Sequence, residues 1–157
     1  MFSKIAKIGA SFAAAALGTV SMIGDAGAVN LNTHGAAFQA FNAAEAIKID
    51  YLSTGARTIS TTAQTLIAPV VRSPVTAASQ SFFIDGSNSP GQTTFFTLSA
   101  FNFTGAFQSS VSFNSNAATY DLFQTLTTVS TFSYVELLAT VPANGGGVLF
   151  GVTALQP

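Results

Sequence analysis

Apolar and polar side chains alternate with a period of two along most of this chain, and that pattern leaves few folds open. Phe107, Ser109, Val111 and Phe113 alternate with Gln108, Ser110, Ser112 and Asn114. Ile47, Ile49 and Tyr51 alternate with Lys48, Asp50 and Leu52. A strand throws successive side chains to opposite faces, so each such segment buries one face and wets the other. The same reading predicts strands near 57–61, 64–71, 80–85, 120–126, 134–141 and 148–155. A hairpin follows from "TTFFTLSAFNFTGAFQSSVSF" (93–113), with its turn at Asn102–Ala106 and Gly105 free to take positive φ. Turn formers cluster at Ser53-Thr54-Gly55, at "GSNSPG" (86–91) and at "PANGGG" (142–147). Pro69 has no N–H to give a ladder, which places its strand at a sheet edge. The run "GVLFGVTAL" near the C-terminus has few charges to guard it and is expected at an edge open to pairing. In 35–46, Phe38 and Phe41 lie three apart among alanines, which suits either a short helix or a bulged strand.

About eight short strands with turn signals roughly every ten residues give an all-β fold. The natural architecture is a two-sheet antiparallel β-sandwich, jelly-roll-like or immunoglobulin-like. The expected core is Phe96, Leu98, Val111, Phe113, Leu122, Val135, Leu137 and Val152, with Phe107 on the same side of its strand. Tyr51, Tyr120 and Tyr134 are expected half-buried with their hydroxyls at the rim.

Residues 1–28 read as a secretory signal helix. Lys4 and Lys7 precede an apolar run from Ile8 to Ile23, and small residues around Ala26 and Ala28 suit cleavage after Ala28. The run is short for a bilayer span. The remaining 129 residues, 29–157, form one domain of a size that buries a core. There is no cysteine, so packing alone must hold the exported fold. The expected address is extracytoplasmic: periplasm, cell surface or medium.

Ionisable groups are scarce. Within 29–157 the bases are Lys48, Arg57 and Arg72, and the acids are Glu45, Asp50, Asp85, Asp121 and Glu136, a net charge of −2. Such a surface has almost no field. It excludes nucleic acid, which needs clustered Lys and Arg, and charge-driven binding to anionic lipid. No membrane partner is expected after signal cleavage. Weak mutual repulsion also favours self-association.

Catalysis finds little to work with. The only histidine, His34, lies near the start of the domain, no G-x-S-x-G elbow occurs, and the five acids show no favoured pair. Zinc lacks its Cys and His ligands. Asp85-Gly86-Ser87-Asn88 is the one stretch suggestive of calcium, with a single carboxylate, and reads better as a turn closing a strand. The expectation is a protein with no enzymatic activity, no cofactor and no metal.

Binding is the better prospect. Phe95, Phe101 and Phe103 fall on the face of their strand opposite Phe96 and Leu98. Covered by a loop or the N-terminal segment, as expected, they extend the core; exposed, they make a contact patch. Asp85, Asn88 and Asn144 sit in or beside polar loops of the kind that carry binding sites at sandwich ends. These six residues are the candidate ligand contacts. The layout is similar, in architecture, to exported bacterial sandwich modules, carbohydrate-binding ones among them. Two functions follow: binding of a neutral extracellular ligand such as a polysaccharide, or surface adhesion with it; or self-association as a structural or matrix subunit whose partner is another copy of the chain.

Overall fold

The computed structural model describes residues 30–72 and 78–155; residues 1–28, expected from the sequence to be a signal segment, lie outside them. Eleven strands are present among these residues: β1 (Leu31–His34), β2 (Gln39–Ala40), β3 (Ile49–Leu52), β4 (Gly55–Thr58), β5 (Gln64–Pro69), β6 (Gln80–Asn88), β7 (Thr94–Phe101), β8 (Phe107–Ser115), β9 (Thr119–Leu126), β10 (Tyr134–Val141) and β11 (Gly147–Ala154). They form two antiparallel sheets. One runs β3-β4-β11-β6-β9 with β1 also paired to β11; the other runs β2-β5-β10-β7-β8.

The strand order separates the two sandwich layouts that the alternation allows. β7 pairs with β8, β6 with β9, β5 with β10 and β4 with β11. These nested pairs are one long hairpin rolled on itself, the arrangement of a jelly roll. Eight strands make the roll, and β1, β2 and β3 are short additions to it.

The core lies between the two inner faces. Leu66, Ala68, Phe82, Ile84, Leu98, Leu137, Ala139, Leu149 and Val152 are almost wholly buried there. Of the eight expected core residues, Phe96, Leu98, Val135, Leu137 and Val152 are fully buried, while Val111, Phe113 and Leu122 are half-buried and pack against the cluster. Burying each large apolar side chain stabilises the fold by about 1.5–3 kcal/mol. Phe96 ties the layers together. It stacks on Phe113 of its own sheet at 5.0 Å and meets Tyr120 of the other edge-on at 5.7 Å.

Several expectations need correction. Phe107 does not join the core. The ladder pairs Ala100 with Ser109 but Phe101 with Phe107, so Gln108 is an extra residue, a bulge. It turns Phe107 to the outer face, where the ring is 62% exposed. β6 runs three residues beyond Asp85, so Gly86, Ser87 and Asn88 belong to a strand rather than to a loop. Segment 35–46 is neither one helix nor one strand. The 3-10 turns Gly35–Ala37 and Ala43–Lys48 flank β2, their first turns capped by His34 Nδ1 and Asn42 Oδ1. The alternation therefore begins at Ile49, and Ile47 is left exposed. β11, which carries the C-terminal apolar run, is an interior strand, paired to β6 on one edge and to β4 and β1 on the other. β5 is almost an edge, with only the two residues of β2 outside it.

The turns obey their residues. Asn102 Oδ1 accepts from the N–H groups of Thr104 and Ala106, and Gly105 takes φ 82°. Asn144 and Gly145 both have positive φ (54° and 67°), in the loop that carries the chain from β10 in one sheet to β11 in the other. Gly86 does a different job. It faces Tyr120 across the ladder, and a Cβ there would collide with the Tyr120 ring and hydroxyl and with the Val148 carbonyl. Gly86→Ala is therefore expected to lower stability by about 1–3 kcal/mol, the usual cost of overpacking. Urea unfolding followed by near-ultraviolet circular dichroism measures it, and an unchanged midpoint would show that Tyr120 moves aside freely.

Candidate functional site

The outer face of the five-stranded sheet is built by register. Tyr134 on β10 stands opposite Phe101 on β7, and Phe101 stands opposite the bulge-turned Phe107 on β8. Three aromatic side chains thus lie in one row across three strands. Phe101 and Phe107 meet edge-on at 6.1 Å. Phe101 is half-buried, whereas Tyr134 is 66% exposed. The next row carries Ser99, Glu136 and Pro69, and the one after it Thr97, Leu138, Ile67 and Gln39.

Two cavities open on this surface. One, of about 400 Å³, is lined by Gln39, Ile67, Pro69, Phe101, Tyr134, Val135 and Glu136. The other, of about 420 Å³, lies toward the sandwich end between Pro69–Arg72 and Thr131–Val135. Both include Pro69, Tyr134 and Val135, so Tyr134 stands where they join. The lining is mainly apolar, with the Gln39 amide and the Glu136 carboxylate as polar points in the first cavity and Arg72, Thr131 and Ser133 in the second. Apolar walls with a few fixed polar groups are the usual make-up of a small-molecule site.

The 127–133 loop that walls the second cavity is fastened by the bulge. Gln108 Oε1 accepts from Ser130 N–H and from the Ser133 hydroxyl, and Ser109 Oγ donates to Thr128 C=O. Arg72 completes the anchorage. Its Nη1 donates to Ser133 C=O at 2.6 Å and its Nε to Gln80 Oε1 at 2.5 Å. Burial lowers the Arg72 pKa, and its role here is to hold the loop.

The six candidate contacts from the sequence divide. Phe95 and Phe103 are not covered, at 53% and 70% exposed, whereas Phe101 is half-buried. The three do not form one patch either. Phe95 lies six residues from Phe101 along β7, roughly 20 Å at about 3.3 Å per residue, and Phe103 rides the hairpin turn. Asn88 is buried and fully engaged: Nδ2 donates to Ser115 C=O at 2.9 Å and Oδ1 accepts from Thr94 Oγ1 at 2.6 Å. It is a core fastener. Asn144 is exposed in its turn, at the sandwich end away from Tyr134, where Ser89 N–H donates to Gly146 C=O and ties the two glycine-rich loops together. Asp85 points out from the six-stranded sheet.

Tyr134, Phe107, Gln39 and Glu136 are the site residues that sequence reasoning missed. Tyr134 carried a signal, since its strand was legible and its parity opposes Val135 and Leu137. Phe107 did not, because the bulge has no marker in the sequence. The tyrosines also depart from expectation: Tyr120 is buried, its pKa pushed up to about 12 chiefly by burial, while Tyr51 and Tyr134 are well exposed. Asp85-Gly86-Ser87-Asn88 is no calcium loop, because strand geometry sends Asp85 and Asn88 to opposite faces. Among the described residues, no three His, Asp or Glu side chains gather as a metal cluster would require.

No protein-family model and no curated protein matches this chain. Solved structures do. A xylan-binding module CBM15 superposes with a TM-score of 0.53 at 14% identity, over 83% of this chain and 97% of that one. CBM22-1-GH10 modules of a Clostridium thermocellum endo-1,4-beta-D-xylanase, complexed with xylohexaose, give 0.48 at 7% identity over 82% of this chain and 28% of that one. TmCBM61 in complex with beta-1,4-galactotriose gives 0.44 at 11% identity, over 84% and 90%. At these identities the first shows likeness of fold, and the other two carry no weight in the argument. The chain shares a β-sandwich fold with that xylan-binding module.

Asp85 offers a measurement free of any ligand. Its pKa is raised to about 6, first by burial, then by the Asp121 carboxylate directly opposite. An acid with a raised folded-state pKa holds its proton longer than the unfolded chain does. The stability that Asp85 contributes is therefore fullest below about pH 4 and is lost as pH rises through 6. Asp85→Asn is expected to flatten this decline and to raise the melting temperature at pH 7. Thermal melts from pH 4 to 8 check it, and parallel curves for the two proteins would refute the pairing.

Proposed function

We propose that this chain is an exported, non-catalytic sandwich domain that binds a neutral polysaccharide along the outer face of its five-stranded sheet. The observation that carries the reading is Tyr134, an exposed ring joining two cavities in a row with Phe101 and Phe107. A sugar ring presents an apolar C–H face that packs on an aromatic surface, while its hydroxyls need acceptors and donors at the edge. Glu136 and Gln39 supply those. The near-absence of charge suits a neutral ligand, and the likeness of fold to a xylan-binding module supports the reading without naming a sugar. Residues 1–28 would direct export and leave 29–157 as the working domain, in the periplasm, at the surface or outside the cell.

A self-associating surface subunit is the alternative. Exposed Phe103, Phe107 and Phe132 at the sheet's loop end favour it, as does weak repulsion between copies. The interior position of β11 removes the edge-pairing argument for it. Sedimentation with and without glycan separates the two readings.

The direct test is affinity electrophoresis on xylan, galactan, mannan and cellulose. Retention on at least one is expected, weakened about tenfold or more by Tyr134→Ala, a change of about 1.4 kcal/mol. Since Tyr134 is mostly exposed, the variant should keep its melting temperature. No retention on any of the four, or equal retention of Tyr134→Ala, would sink the proposal.

A further inference from the structure

The opposite face of the sandwich carries a second constructed hollow. Four strands align there in two rows. His34 (β1) lies opposite Gly151 (β11), Gly151 opposite Asp85 (β6), and Asp85 opposite Asp121 (β9). One row on, Asn32, Thr153, Phe83 and Phe123 stand side by side. Gly151 brings no side chain, so the first row has a gap between His34 and Asp85. A Cβ at Gly151 would strike the Thr33 carbonyl, which keeps that gap open.

A bulge shapes the gap's wall. The β11–β6 register shifts between Leu149 and Gly151, so Phe150 and Gly151 fall on the same outer side. The result is a cavity of about 220 Å³ lined by Asn32, His34, Asp85, Phe150, Gly151 and Thr153 among others. At ~30 Å³ per water, it has room for about seven waters, the space of one pyranose ring and half that of either cavity on the other face.

We propose that this hollow is a second saccharide site, taking a single sugar residue such as a chain end. The inference rests on the glycan-binding reading above but uses a different sheet. The polar groups suit a polyol. His34 Nδ1 accepts from Ala36 N–H at 3.1 Å, which leaves Nε2–H as a donor. Asn32 is oriented by Thr153, whose hydroxyl donates to its Oδ1 at 2.7 Å, so its amide N–H₂ is free to donate. Asp85 and Asp121 face each other, and the bases among the described residues are engaged elsewhere: Lys48 with Glu45, Arg57 with Asp50, and Arg72 with Gln80 and Ser133. Asp85 lines the hollow, and a sugar hydroxyl donating to it would add to the one side-chain hydrogen bond it shares with Asp121. Phe150 gives the apolar wall. Phe83 and Phe123, 5.3 Å apart, extend it, and Phe123 is 54% exposed.

Amide NMR titration of the purified protein with methyl β-D-xylopyranoside and methyl β-D-galactopyranoside tests this. Saturable shifts are expected at His34, Asp85, Gly151 and Asp121. They should persist in Tyr134→Ala and weaken about tenfold or more in Asp85→Asn and in His34→Ala. Shifts confined to Phe101, Tyr134 and Gln39, or no shifts with either glycoside, would overturn the second site. Polysaccharide retention by Asp85→Asn tells the two proposals apart. Retention without shifts at Gly151 ends this one alone, and shifts at Gly151 without retention end only the other.

Discussion

β10 is hydrogen-bonded on both edges, to β5 and to β7, and those two ladders determine which side chains of the five-stranded sheet reach solvent. A shift of one residue would bury Tyr134, Glu136 and Leu138 and expose Val135, Leu137 and Ala139. The latter three are almost wholly inaccessible in the fold. The apolar inner face thus resists any such slip, and the outer face inherits its geometry. In a chain without disulfides, with few ion pairs, the packing that stabilises the sandwich also aligns Tyr134 with Phe101.

Bulges then adjust what alternation alone would give. The extra residue at Gln108 brings Phe107 out beside Phe101, and the Gln108 side chain fastens the 127–133 loop. The irregularity at Phe150 and Gly151 sets an aromatic wall beside a glycine floor. In both places a local break in the ladder turns a flat surface into one with relief. Neither break disturbs the buried row of its strand.

Much of the fold was legible because one-sided burial leaves a period-two trace. Tyr134–Val141 matches its strand to the residue, and the hairpin turn at Asn102–Ala106 follows from Asn102 and Gly105. The failures have definite causes. Gly86-Ser87-Asn88 carries turn chemistry, yet a long-range partner in β9 and the Asn88 side-chain bonds hold it as strand. Ile47 follows the alternation but falls in a 3-10 turn. Of the site, Phe101 was legible by parity. Glu136 and Gln39 were not, since their nearness to Tyr134 depends on strand order and on register against β5, neither of which adjacent residues encode.

The nested pairing bears on how such a chain assembles. Phe101 and Phe107 are six residues apart, whereas Ala56 and Leu149 are separated by 93. Closing the outermost contact first would cost the full loop entropy, but a roll that zips outward from the β7–β8 turn shortens every later closure. The hairpin that displays Phe101, Phe103 and Phe107 is thus also the most local pairing among the eight strands of the roll, so the sequence there answers to the speed of assembly as well as to whatever those rings touch.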